Sequence, residues 1–531
     1  MLKPTVLILN NDKFTLMTKY ILLLLIVSSY NLLAQPSIQW QYSYGGTSAD
    51  LPYKVIATFD GGYMVAGISQ SNNGNLNNNY GGYDCWITKL DSSGLLQWQK
   101  SFGGSFNDAI NSIIQTSDSG FIFVGSTGSN DHDITFNHGS YDYWVVKLDT
   151  AGNILWQKTY GGSNFDAGSD MVQSSDGGFL IAGSSTSNDG DVSVHYGSSN
   201  DDDFWIVKID SIGTLMWEKT FGGTLDDTPL SIAKTNDNSF IIGGYTYSND
   251  SDVTFNHGQE DCWVIKIDSI GNLLWQKSFG GSVLEKVTSI IQTNDGGFAF
   301  NGFTNSTSGD VSGNHGNNDY WFVKLDSSGN IQWQKCFGGF QGDNGYSIIQ
   351  TSDYGYALTG LSGSSNGNAT FNHGNYDYWI IKTDSLGTIE WQKSLGGTNF
   401  DNAYSIIEKN TNEYVIAGSS NSNDGDVTGN HGLEDFWIVK LNNSVGINEH
   451  TLSSNIKLFP NPVGNFLNVE FPFLINDKVS ISILNPIGEI IQENNLRLNN
   501  EAINVGNLKQ GIYFLKVLAG DNYFTAKFIK N

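Results

Sequence analysis

Along most of this chain, apolar and polar residues alternate in short runs broken by glycine, and the runs recur with a fixed period. In the unit from Gly103 to Tyr160, four runs show the alternation or β-branched enrichment of strands: Asn111–Thr116, Phe121–Gly125, Trp144–Leu148 and Ile154–Tyr160. Asp-Gly-Gly at 60–62, 176–178 and 295–297 marks tight hairpins, because glycine supplies the positive φ such turns need. Asp-Ser-Ser-Gly at 91–94 and 326–329 does the same between the third and fourth runs.

The period is read on tryptophan. All fourteen fall into two interleaved series, Trp40, Trp98, Trp156, Trp217, Trp275, Trp333, Trp391 and Trp86, Trp144, Trp205, Trp263, Trp321, Trp379, Trp437. The spacing in each series is 58 residues, with one step of 61. Four antiparallel strands in each unit, seven times over, predict an all-β fold: a seven-bladed β-propeller with four-stranded blades. A parallel β-helix would repeat faster, and a string of sandwich domains would need roughly 90–100 residues per unit. The array opens on a lone fourth-type strand, Ile38–Ser43, and ends on a third-type strand, Phe436–Leu441. The first strand is therefore expected to complete the last blade and remove two free edges.

Phe102-Gly-Gly-Ser-Phe-Asn-Asp-Ala and the following Gly120-Phe-Ile-Phe-Val-Gly resemble bacterial seven-bladed propeller repeats of the Phe-Gly-Gly…Asp…Gly type. The resemblance covers roughly residues 38 to 442 and implies a fold, since propellers host unrelated functions.

Composition narrows the function. With 53 acidic against 27 basic residues, a net charge of −26 and Arg497 as the single arginine, the chain lacks the basic patches that nucleic-acid binding requires. Calcium or neutral polar partners such as glycans suit it better. Cys85, Cys262 and Cys336 make an odd count, and the first two hold one repeat position three units apart, so no disulfide scaffold is expected.

Residues 1–35 read as a signal peptide, with Lys19, the apolar run Ile21–Val27 and Asn31-Leu-Leu-Ala-Gln35 as a cleavage site; Met17 is an alternative start. That run is short for a bilayer, and no transmembrane span is expected in the mature chain. The propeller is assigned to 36–443, a linker to 444–455 and a small β-sandwich to 456–531. Phe459-Pro-Asn-Pro, Asn485-Pro-Ile-Gly-Glu, Gly511-Ile-Tyr-Phe and the basic last strand Lys527–Asn531 together resemble the C-terminal sorting domain of type IX secretion. That resemblance implies export through the periplasm, the type IX machinery as a partner, and a place on the outer-membrane surface or outside the cell.

The chemistry-bearing residues form repeated sets. Asp-x-Trp (Asp84 to Asp435) and Trp-x-x-Lys (Lys89 to Lys440) occur in every unit and read as scaffold, the carboxylate bonding turn amides or a lysine. An acid follows each Gly-Gly: Asp50, Asp108, Asp166, Asp227, Glu285, Asp343 and Asp401. These are expected just before the innermost strands, as turn caps or as a cation ring at the channel mouth. Asp189 with Asp191, and Asp424 with Asp426, flank a glycine as calcium-loop acids do, without the downstream Glu of an EF-hand; Asn75 and Asn368 take that place in units 1 and 6. His138, His257, His315, His373 and His431 follow an Asn in the same long loop, with Tyr80 and Tyr196 in the other two units. One histidine per unit lacks the clustering of a zinc site, and replacement by tyrosine suggests a planar packing or hydrogen-bonding role; the five histidines stand also as ligand-binding candidates.

In an antiparallel meander the long loops share one face, and that face is the expected interaction surface. Three extra residues after Gly197 break the sevenfold repeat there and bring together Asn200, Asp201, Asp202 and Asp203. No Gly-x-Ser-x-Gly, His-Glu-x-x-His or phosphate-binding glycine loop occurs. The expectation is a monomeric surface binding or adhesion module for glycan or protein, without cofactor unless calcium binds. A secreted polysaccharide hydrolase or lyase, or a structural surface-layer component, are the alternatives.

Overall fold

A computed structural model describes residues 35–76, 78–442, 457–470, 479–485, 490–496, 502–519 and 522–531. The signal-peptide and linker assignments lie outside these residues. The described secondary structure is strand throughout, and no described helix is long and apolar enough to cross a membrane. The chain divides into two compact units, one ending at Ser444 and one beginning at Val445.

The first unit is a seven-bladed β-propeller. Seven four-stranded antiparallel sheets follow one another, six of them meanders of consecutive strands. Blades 1 to 7 are numbered by their innermost strands: Asp50–Ala57, Asp108–Gln115, Asp166–Gln173, Asp227–Lys234, Glu285–Gln292, Asp343–Gln350 and Asp401–Asn410. Each innermost strand packs against the next, and Asp401–Asn410 packs against Asp50–Ala57, so the ring closes. Ser37–Tyr44 pairs antiparallel with Asp435–Asn442 as the fourth strand of blade 7, which removes two free edges.

One boundary differs from the sequence expectation. The acid after each Gly-Gly is the first residue of the innermost strand and does not precede it. Asp108 stays in the ladder because it pairs with Thr127, whose hydroxyl donates to its carboxylate.

Packing explains the tryptophans. In most blades the second and third strands are buried along their whole length, sandwiched between neighbouring blades. Trp86, Trp144, Trp205, Trp263, Trp321, Trp379 and Trp437 are fully buried. Each such side chain removes 150–250 Å² from water, on the order of 4–6 kcal/mol at ~25 cal/mol per Å². The Trp144 indole N–H donates to Gln157 Oε1 at 3.0 Å, which is why Gln follows the tryptophan of the fourth strand. The other series lies over the turns of the next blade. Gly152 has φ +77°, and a Cβ there would sit 2.8 Å from Trp98. The three cysteines are buried and free.

The second unit has two small sheets around one apolar core. Lys457–Phe459, Phe466–Glu470 and Ala502–Asn504 form one; Ile490–Leu496, Val479–Leu484, Gly511–Ala519 and Asn522–Lys530 form the other. Leu467, Val469, Ile481, Ile483, Leu515, Val517 and Phe528 meet between them.

Candidate functional site

The repeated acids, glycines and histidines converge at the seven blade junctions. At the junction of blades 2 and 3, Asp166 is fully buried and accepts hydrogen bonds from Gly162 N–H at 2.7 Å, Ser187 Oγ at 2.8 Å and Ser185 Oγ. The preceding Gly161 lies between two carboxylates: a Cβ there would meet Asp166 Oδ2 at 2.6 Å and Asp142 Oδ1 at 2.8 Å. The same arrangement recurs at Gly45, Gly103, Gly222, Gly280, Gly338 and Gly396. Asp50, Asp108, Asp227, Glu285, Asp343 and Asp401 are likewise fully buried, each bonded to the second glycine of its pair. Their carboxylates are committed to turn amides and are not displayed at the channel mouth.

Asp142 and its six equivalents occupy the other side of the glycine. In all seven, Oδ1 is buried with no hydrogen-bond partner among the described residues. Burial raises these acids, Asp84 to about 7 and Asp319 to about 6. It raises their neighbours too, Asp50 to about 6 and Asp227 to about 7. Two carboxyls crowded together out of water favour the uncharged form, and desolvation outweighs the histidine that faces six of the seven Asp-x-Trp acids; Asp84 has none.

Of the two partners expected for Asp-x-Trp, the turn amide is the one observed, His138 N–H donating to Asp142 Oδ2 at 2.8 Å, while the lysines go elsewhere. Lys147 bonds Asp118 of the hairpin turn at 3.0 Å, and Lys89 pairs with Asp60 at 2.8 Å. Asp142 and Lys147 stand five residues apart on one strand, roughly 16 Å at ~3.3 Å per residue, so they cannot meet.

The long-loop histidines link neighbouring blades. His138 Nδ1 lies 2.5 Å from Asp142 Oδ2, and its Nε2 lies 3.8 Å from Asp191 Oδ2 on blade 3. His257 joins Asp261 to Asp310, and His373 joins Asp377 to Asp426, in the same way. His315 and His431 contact Asp319 and Asp435. The next blade there supplies Asn368 or Asn75, and the histidine side chains are 37% and 40% exposed, against 21–23% for the other three. Asp189 Oδ1 accepts Ser163 N–H at 2.7 Å, and Asp424 Oδ1 accepts Thr398 N–H at 2.8 Å. Among the described residues, no group of three or more His, Cys, Asp or Glu is arranged to hold a metal ion.

Blade 3 corrects two sequence readings. Tyr196 supplies only its backbone N–H to Asp203, while His195 places Nδ1 2.8 Å from that carboxylate. The three-residue insertion shifts the loop so that the preceding side chain takes the histidine role; His195 was missed because the register counted from Asn-His-Gly. The inserted acids also separate. Asp201 accepts Ser198 N–H at 3.0 Å, Asp203 is buried on His195, and burial pushes Asp202 up to about 6. Asn200 is exposed. Beside His138 and Asp191 a cavity of about 540 Å³ opens, lined also by Phe136, Lys158 and Ile212.

Residues 457–531 match the family described as the secretion system C-terminal sorting domain. A tail of this kind engages the type IX secretion system, so the protein is exported to the cell surface or secreted. No curated protein matches the chain. Among solved structures it is similar to Sqt1 from Chaetomium thermophilum, at 12% identity over 75% of this chain and 87% of that one, with a TM-score of 0.39. It is similar to YCF48 bound to D1 peptide at 9% identity, 78% and 99% coverage and a TM-score of 0.39. The PQQ-bound aldose sugar dehydrogenase of Streptomyces coelicolor is similar at 13% identity, 77% and 98% coverage and a TM-score of 0.36.

Proposed function

We propose that the ring is a surface-displayed binding or adhesion module for extracellular glycan or protein, delivered by its sorting tail and performing no catalysis. One observation carries the reading: the repeated carboxylates and histidines are spent on one another and on turn amides, not gathered around a reaction centre. What the loops leave to solvent is contact surface. Phe106, Phe136, Phe255, Phe340 and Phe371 stand more than half exposed on the Gly-Gly and long-loop segments. Aromatic groups on ordered loops give large contact area at small entropic cost.

Incubating the full chain with neutral and acidic polysaccharides and with intact cells, and following both retention and product formation, tests this. Retention without new reducing ends is the expected result. Release of oligosaccharides that scales with protein concentration would replace the binding reading with a hydrolase or lyase.

A further inference from the structure

Every innermost strand carries a β-bulge at the same place. The ladder of blade 1 steps from Pro52 to Lys54, that of blade 6 from Gly345 to Ser347, and that of blade 7 from Ala403 to Ser405, each leaving one residue unpaired. The other four blades step alike. A bulge re-aims the extra side chain, and these seven side chains line a cavity of about 460 Å³ enclosed by the inner strands.

The lining is lopsided although the backbone is sevenfold. Blades 6, 7 and 1 contribute Tyr346, Tyr404 and Tyr53 in succession, with ring centroids 5.3 and 5.7 Å apart. The opposite wall is Asn111, Ser169, Leu230 and Thr288. Below them Lys54 Nζ reaches from blade 1 to Asp170 Oδ1 on blade 3 at 3.8 Å, amid a collar of serines. Lys286 and Phe303 complete the wall. Lys286 is the second residue of its strand, which places the opening toward the long-loop end. Its charge is met by Glu260 at 2.8 Å.

The geometry points to a binding site in the channel for one neutral sugar unit or a short neutral glycan end. A tyrosine arc offers ring faces for stacking, and the facing hydroxyl and amide groups offer hydrogen bonds. Both lysines are matched by acids, so no net charge awaits an ionic ligand. The volume lies within the roughly 300–1,000 Å³ of small-molecule sites. The unequal wall gives the ligand one orientation where a sevenfold wall would give seven. This site deepens the binding-module reading and rests on it.

The test is an array of neutral and charged glycans probed with the full chain, followed by calorimetry on the best neutral hit. Tyr404→Ala and Tyr53→Ala should each weaken that binding at least ~10-fold, with Tyr404→Phe intermediate. Ser169→Tyr, which thrusts a ring into the cavity opposite the tyrosine arc without removing packing, should abolish it, and Asn200→Ala on the blade 3 loop should leave it unchanged. Thermal melts accompany each variant. Neutral-glycan binding that survives Ser169→Tyr but falls with Asn200→Ala would overturn the channel site and leave the binding module standing. Binding of charged glycans or protein alone would do the same. Absence of any ligand, together with polysaccharide turnover, would end both.

Discussion

The indole N–H of Trp437 donates to Gln41 Oε1 at 2.6 Å, joining the first strand of the ring to the last across 396 positions. Five other blades make the same bond within one unit, for example Trp144 to Gln157, and in blade 3 Glu218 takes the place of the glutamine. The closure therefore uses the ordinary blade contact, and the ring is sealed by the same chemistry that builds each blade.

Gln41→Ala should leave a buried indole N–H unsatisfied and cost about 1–3 kcal/mol in urea unfolding. Deleting residues 37–44 should do far more, because it strips the whole fourth strand from blade 7 and bares the edge of Asp435–Asn442. Light scattering should then show self-association. A deletion variant that stays monomeric with an unchanged melt would contradict the closure.

The glycines of each junction should differ from those of the hairpins. Gly161→Ala forces a Cβ between Asp142 and Asp166 and should cost well over 2 kcal/mol. At Gly177 nothing lies within 4 Å, but φ is +85°, so Gly177→Ala should cost about 1 kcal/mol from backbone strain alone. Equal losses in the two denaturation curves would show that the carboxylate pair exerts no steric control.

Stability should fall as pH rises through neutrality. Desolvation lifts Asp84 and Asp227 to about 7 and Asp50 and Asp319 to about 6, so the folded state holds protons that the unfolded chain releases near pH 4. The unfolded state then binds fewer protons between about pH 4 and 7, and the unfolding free energy declines across that window. The hairpin acids act oppositely. Asp118 is held at about 2 by the Thr116 hydroxyl first and, against partial burial, by Lys147. Their contribution is lost as pH falls below about 4 toward 2. The melting temperature should peak near pH 4–5 and drop on either side, and Asp84→Asn should flatten the alkaline limb. A melt that rises steadily from pH 5 to 8 would refute the paired-carboxyl account.

Calcium should add little to thermal stability. Asp189 and Asp424 already accept backbone amides from the Gly-Gly segments through Oδ1, which leaves less of each carboxylate for a cation. A cation held at 100 times its Kd would add about 2.7 kcal/mol. Melts in excess calcium and in chelator should coincide; separation by several degrees would show a site in these loops.

Removing residues 457–531 should leave the ring folded and inside the periplasm, since the sorting tail occupies a compact unit of its own. Cell fractionation with a melting curve on the recovered protein checks both halves of this prediction. Normal amounts at the cell surface would refute the sorting role.

The blade count and the meander were legible in sequence because strand pairing within a blade is local, and the closing strand because Ile38–Ser43 carries the fourth-type pattern that the last unit lacks. Side chains alternate with period two, turns need glycine at fixed places, and Trp144 meets Gln157 only 13 residues away. Export was legible too, in the Phe459-Pro-Asn-Pro and Gly511-Ile-Tyr-Phe segments. The junction chemistry was legible only as residue types. Asp142 and Asp166 belong to different blades, and His138 meets Asp191 53 residues on, so their partnerships depend on the angle between blades. His195 replacing Tyr196 depends on how a three-residue insertion is absorbed in space. The channel wall shows the limit most clearly. Tyr53, Asn111 and Leu230 share one position in the repeat, and their variability among otherwise repeating residues was the available signal. That they face one another is decided by seven bulges turned inward around a closed ring, a relation between strands that no local pattern encodes.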